Sequence, residues 1–305
     1  MKSKLFALPP AAALLAVMLG AGPGQAQDGG TLAKIADQGE IVIGHRDGAV
    51  PFSYYDDAQK PVGYAMDLCA AVVDAVKARL DKPDLKVSYM PVTGTTRIPL
   101  LINGTIDMEC GTTTNNAERQ KQVAFSDTYF VAGVRILSKK DSPINTMAET
   151  KGKTVVTLAG TTSVKIINDA NNAENLGLTI LSAKDLAEGM LTLETGRAAA
   201  LIFDDVSIAG AAATSKTPDA YQISPEPLSV EPYGIMLRRD DADFKTLVDD
   251  TLVGLFSSGA ITGIYDTWFT QPIPPRGINM NFPMSEQLAR VIAAPTDSPD
   301  PAVYE

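Results

Sequence analysis

Apolar positions recur along this chain with two alternating periods. Glu40 to His45 reads as a β-branched strand through Ile41, Val42 and Ile43. Tyr64 to Leu80 carries Leu68, Cys69, Val72, Val73, Val76 and Leu80 at helical spacing. A short helix over Thr31 to Asp37 precedes the first of these. A strand over Lys86 to Pro91, a helix over Ile98 to Ile102 and a strand over Thr105 to Cys110 follow the second. The pattern predicts a long strand from Tyr129 to Ser138, after which it restarts. Strands are expected at Lys153 to Thr157, Leu178 to Leu181 and Ala198 to Phe203, with helices opening at Thr161 to Ser163 and at Asp185. Tyr221 to Ser224 and Tyr233 to Leu237 lead back toward the first set. Helices over Asp240 to Ser257, Gly263 to Phe269 and Met284 to Ile292 close the pattern. Two strand–helix sets predict two α/β domains. The first is split, 31–138 plus 229–292, and the second, 139–228, is inserted in it. The two crossings form a hinge, and the cleft between domains is the expected ligand site.

Residues 1–26 stand outside this pattern. Lys2 and Lys4, the apolar run from Ala11 to Ala21 and the small residues Gly24 and Ala26 predict a signal peptide cleaved after Ala26. Residues 293–305 are proline-rich and acidic and are expected to be frayed. With Lys2 and Lys4 removed, 24 basic residues face 36 acidic ones, a net charge of −12 that argues against a nucleic-acid partner. One histidine, His45, excludes a histidine-rich metal site. Cys69 and Cys110 leave two readings open, a disulfide permitted by export and two inert buried thiols.

Candidate chemistry concentrates where strands give way to helices. After the strand ending at Cys110 come Gly111 and the hydroxyls of Thr112, Thr113 and Thr114. Asn115 then opens a helix, with Glu118 at capping-box spacing. Hydroxyls, orphan N–H groups and a helix N-terminus converge there on a site for an anion such as a carboxylate. Arg119 can add a two-pronged grip. Arg46 follows the first strand and Arg97 the second, at strand ends where open α/β sheets bind ligands. Gly160 to Ser163 forms a second hydroxyl turn, and Asp204 and Asp205 end a buried strand.

The wording IVIGHR, VPFSYYD, RIPLLINGT, ECGTTTNNAERQKQVAFSDTYF, GTTS, SAKD, TLETGRAAALIFDD and YGIMLRRDD resembles the periplasmic glutamate/aspartate-binding proteins of ABC amino-acid importers, solute-binding protein family 3. The resemblance covers nearly the whole mature chain. It implies a type II two-lobed periplasmic-binding-protein fold, a monomer without cofactor or metal, and an inner-membrane ABC permease as partner. It implies that Thr112, Thr114 and Arg119, with Thr161 and Thr162 from the second lobe, hold the ligand's α-carboxylate. Asp204 would hold the α-amino group, while Asp205 suits a helix-capping role. Arg46 and Arg97 would take the side-chain carboxylate of glutamate or aspartate. Two departures stand out: Gly94 replaces a common serine and Leu186 a common histidine, which suggests selectivity widened toward glutamine and asparagine. Exported dehydratases use the same fold and form the alternative reading, but no acid–base pair committed to such chemistry is evident.

Overall fold

The computed structural model describes residues 30–305, so the expected signal segment lies outside the described residues. Two five-stranded sheets carry the chain. In the first, Glu40–His45 lies parallel to Lys86–Pro91 on one side and to Met108–Cys110 on the other. Met236–Arg238 returns antiparallel, between Met108–Cys110 and Val123–Phe125. The second sheet repeats the plan. Thr154–Leu158 lies parallel to Thr179–Ala183 and to Ala200–Asp204, and Val134–Lys139 runs antiparallel beside Ala200–Asp204, with Tyr221–Ile223 at the edge. In both sheets the central parallel strand comes first in the chain and its two neighbours come later, on opposite sides. That reversal of strand order opens a crevice at the carboxyl ends of the strands.

The chain passes between the sheets on an antiparallel pair, Phe130–Ala132 with Glu231–Tyr233. The predicted single strand from Tyr129 to Ser138 is therefore two strands in different sheets, broken at Gly133. Val134–Lys139, expected in the first lobe, pairs with strands of the second sheet. A side chain at 133 would meet Pro227 Cβ at 2.8 Å and the Ser229 carbonyl oxygen at 3.1 Å. Below this hinge, Phe130 stacks on Tyr233 with ring centroids 5.9 Å apart, and Phe52 meets Phe130 edge-on at 4.8 Å. The hinge strands are thus seated on the aromatic core of the first lobe.

Helix Tyr64–Leu80 buries the expected face, Leu68, Cys69, Val72, Val73 and Val76, against Phe244, Val248 and Leu252 of helix Ala242–Ser257. Leu80 is only partly buried. The second helical turn signal also holds: Asp185 Oδ1 accepts from the Glu188 N–H at 2.9 Å.

The frayed tail expected from residue 293 is not found. Beyond helix Glu286–Ala293, the Thr296 carbonyl accepts from the Thr128 N–H at 2.8 Å, and the Asp297 carbonyl accepts from Asn115 Nδ2 at 2.8 Å. Tyr304 is buried with Val131 and Val291, its hydroxyl 2.9 Å from Thr128 Oγ1. One buried aromatic ring and backbone pairing outweigh the proline-rich composition.

Cys69 and Cys110 form a disulfide, with Cα atoms 6.3 Å apart. It ties the long helix to the strand that leads into the threonine run. Closing a loop of 41 residues stabilises by about 2–4 kcal/mol in practice. Replacing both cysteines by alanine is therefore expected to lower the unfolding free energy by about that amount in a denaturant melt, and unchanged stability would contradict the contribution assigned to the bond.

Candidate ligand-binding cleft

The first lobe presents three guanidiniums at the carboxyl ends of its strands. Arg46 directly follows Glu40–His45 and is 6% exposed. Its Nε has no partner. Burial, and then the neighbouring Arg97 charge, push its pKa down, while Glu109 opposes them. Arg97 opens helix Arg97–Ile102 and is 1% exposed. Its Nη1 donates to Thr113 Oγ1 and the Thr112 carbonyl, and its Nε has no partner. Arg119 donates from Nη1 to the Thr114 carbonyl at 2.7 Å. Burial and the Arg97 charge lower its pKa to about 9. Thr113 in turn donates to Glu109 Oε2 at 2.6 Å. Glu109 is fully buried and its second oxygen is unpartnered. Among the described residues, none of the three arginines lies within ion-pair distance of a carboxylate.

The helix after the threonine run differs from expectation. It spans Ala117–Gln120 and is capped by Asn116, whose Oδ1 accepts from the Arg119 N–H at 2.9 Å. Asn115 instead anchors the C-terminal tail. Four residues align too few peptide dipoles to act as a positive pole. The cationic character of the turn comes from Arg119 itself. Thr112 keeps its hydroxyl buried and unpartnered, and Thr114 bridges to Tyr233 of the hinge.

From the second lobe, the turn after Thr154–Leu158 leads into helix Thr162–Glu174 with Thr161 as N-cap residue. Thr161 Oγ1 donates to the Leu158 carbonyl at 2.6 Å, and Thr162 Oγ1 to Glu231 Oε2 at 2.8 Å. Both hydroxyl protons are thus committed within the protein. The donors left at this turn are the backbone N–H groups that helix geometry leaves free at its start.

Asp204 ends Ala200–Asp204 and is 2% exposed. Its Oδ2 accepts from the Tyr233 hydroxyl, and its Oδ1 has no partner. Burial first, then the Glu231 charge, push its pKa up to about 7, against the Tyr233 hydrogen bond. Asp205 behaves differently. Its Oδ1 accepts from the N–H groups of Gly133 and Val206, and its Oδ2 lies 3.4 Å from Arg135 Nε. It is the structural member of the pair.

The two turns are pressed together. A Cβ on Gly94 would stand 2.4 Å from the Ala159 carbonyl oxygen, and one on Gly160 would stand 2.6 Å from the Gly94 carbonyl. Arg119 Nη2 reaches to within 3.5 Å of the Gly160 carbonyl. Gly94, read from sequence only as a lost polar contact, is thus also where the backbones of the lobes meet. Beside this clasp lies a cavity of about 260 Å³, lined by Arg46, Thr112 and Tyr55 on one side and by Leu158, Leu186, Phe203 and Ser207 on the other. A groove of about 720 Å³ along Lys139, Pro143 and Arg197 lies away from this charged cluster. Of the eight sequence-predicted residues, Arg46 and Thr112 line the cavity, Arg119 and Thr161 stand at the meeting of the two turns, Thr114, Thr162 and Asp204 touch the hinge pair, and Arg97 bonds only within the first lobe. The structure also sets Glu109, Tyr233 and Glu231 against Thr113, Asp204 and Thr162, and Ser207 on the cavity wall, none of which the sequence singled out. Glu109 alone left a trace, an acid inside the apolar run from Ile106 to Cys110.

Residues 41–271 match the bacterial extracellular solute-binding proteins, family 3. The chain belongs to this family. A glutamate/aspartate import solute-binding protein of Escherichia coli K12 is 50% identical, over 94% of this chain and 97% of its own length. An L-glutamate/L-aspartate-binding protein of Pseudomonas aeruginosa is 51% identical, over 88% and 89%. Among solved structures, a mutant of the arginine-binding protein ArgBP from T. maritima superposes with a TM-score of 0.69 at 28% identity, covering 78% of this chain and 98% of that one. In this family 3 solute-binding protein the two lobes meet at the Gly94–Gly160 approach. Gly160 also has φ +72, a conformation that costs a residue with a Cβ about 1–2 kcal/mol. Gly160→Ala is expected to weaken ligand binding at least tenfold while shifting the ligand-free melting temperature by only a few degrees. Titration calorimetry with unchanged affinity would contradict the clasp.

Proposed function

We propose that this protein captures glutamate or aspartate in the periplasm, after export on its signal peptide. It also accepts glutamine and asparagine, and as a monomer it delivers its cargo to an inner-membrane ABC permease. The observation that carries this reading is the set of buried guanidiniums without ion-pair partners. A buried cation lacking a counter-charge is costly, and an anionic ligand removes that cost. Arg119, Thr112, Thr114 and the N–H groups at Thr161 and Thr162 take the α-carboxylate. Asp204 takes the α-ammonium through its unpartnered Oδ1. Arg46 and Arg97 take the distal carboxylate. The names of the relatives in Escherichia coli and Pseudomonas aeruginosa support the acidic ligands. A glutamine-binding protein of Geobacillus stearothermophilus, 36% identical over 67% of this chain, supports the reach toward amides. Leu186 in the cavity wall supplies no polar contact of its own, which fits a site less exclusive for carboxylates.

Titration calorimetry with the four amino acids tests the reading. Saturable binding of all four is expected, with the amides weaker than the acids by no more than about a hundredfold. Strict preference for the two acids would remove the wider selectivity, and no binding of any of them would remove the function.

The Asp204 assignment has a pH signature. With the lobes together and no ligand between them, burial raises its pKa to about 7 against an ordinary 3.8. The group therefore favours the fold fully below about pH 4, and that contribution is lost as pH rises through about 7. An ammonium ligand requires the ionised form, so binding below pH 7 must expel a proton. Affinity is expected to fall by roughly tenfold per pH unit below about 7. Asp204→Asn is expected to flatten that dependence and to bind at least a hundredfold more weakly at pH 8. A pH-independent wild-type affinity between 5.5 and 8 would contradict the assignment.

A further inference from the structure

Ser207 stands in the first turn of helix Asp205–Thr214, just beyond Asp204. It is fully buried and its hydroxyl has no hydrogen-bond partner. Ser163, in the first turn of helix Thr162–Glu174, shares that state but does not line the cavity, whereas hydroxyls further along helices are satisfied. Thr192, Thr214, Thr251 and Thr267 each donate to the carbonyl four residues earlier. A buried hydroxyl left without a partner carries a desolvation cost. Ser207 lines the interlobe cavity opposite Arg46 and Thr112. Arg46 Nε and Thr112 Oγ1 are likewise buried and unpartnered. Unpaired polar groups from both lobes therefore surround one space, and the other second-lobe residues on its wall include Leu158, Leu186 and Phe203.

We propose that Ser207 is a ligand-contacting residue that decides selectivity, meeting the far end of the bound amino acid's side chain from the second lobe. The inference rests on the amino-acid-binding reading above. Its chemistry differs from that of the arginines. A guanidinium only donates hydrogen bonds, so it satisfies both oxygens of a carboxylate but cannot accept from the NH2 of an amide. A hydroxyl does both. With a carboxylate ligand, Ser207 donates to one oxygen while Arg46 and Arg97 take the rest. With an amide ligand, the carbonyl oxygen faces the guanidiniums and the NH2 donates to Ser207 Oγ. Ser207 is then the group that admits glutamine beside glutamate.

The test is titration of L-glutamate and L-glutamine into the wild type and Ser207→Ala, with ligand-free melts of both. Glutamine affinity is expected to fall at least tenfold in the variant, because its NH2 is left without an acceptor. Glutamate affinity is expected to fall no more than about fivefold, because the guanidiniums re-satisfy its oxygens. The ligand-free melting temperature should hold or rise, since an unpartnered buried hydroxyl has been removed. A marked drop in that temperature would make Ser207 structural and overturn the proposal. Unchanged affinities for both ligands would overturn it too, as would a wild type that binds glutamate and rejects glutamine. A wild type that binds neither defeats the underlying functional reading instead.

Discussion

Three guanidiniums buried at one junction, none of them ion-paired, are the constraint from which the rest of this structure follows. Arg46, Arg97 and Arg119 are each at least nine-tenths buried. Transfer of a charge from water into protein costs several kcal/mol unless a counter-charge and hydrogen bonds replace the lost hydration. Here the protein supplies carbonyl and hydroxyl acceptors, and Glu109 only indirectly, through Thr113. Asp204 is a weak counter-charge for the same reason that the arginines are uncomfortable, since burial drives its carboxyl toward neutrality. A zwitterion with an extra carboxylate corrects both faults together. In the proposed complex its anionic ends meet the guanidiniums and its ammonium ionises Asp204.

The fold brings these groups to one place. Each sheet reverses its strand order beside its first parallel strand, which opens a crevice at the carboxyl ends of the strands. The disulfide fixes the strand carrying the threonine run to the long helix behind it. The hinge pair rests on stacked Phe130 and Tyr233 and also delivers chemistry, because the Tyr233 hydroxyl orients Asp204 and Glu231 accepts from Thr162. The tail reaches the same region, its Asp297 carbonyl held by Asn115 beside the helix of Arg119. Closure thus engages hinge, clasp and charge cluster together, and a ligand that binds the closed form better than the open form shifts the population toward it.

Much of this was legible in the sequence because it is local. The helical period of Leu68 to Val76, the Asp185 cap, and the arginines standing just after strands depend only on neighbours along the chain. What was not legible depends on partners far away. The break at Gly133 is invisible to a period-two pattern, because the chain changes sheet without changing its alternation. Asn115 and Asn116 are equally good caps until the tail claims the first. The hydroxyls of Thr161 and Thr162 look available until Leu158 and Glu231 occupy them. Ser207 resembles any small residue in a first helical turn until its missing partner is seen. Gly94 has a second role that its local sequence does not show, since the backbone of Ala159 approaches it too closely for a Cβ.

The most direct test of this account is the shape of the protein in solution, by small-angle X-ray scattering with and without saturating L-glutamate. Without ligand, the unpaired guanidiniums should hold the lobes apart and give a larger radius of gyration than the lobes have when clasped at Gly94 and Gly160. Addition of glutamate should contract the protein to the clasped value. A radius that is the same in both conditions, or that grows with ligand, would contradict closure of the two lobes on a zwitterion.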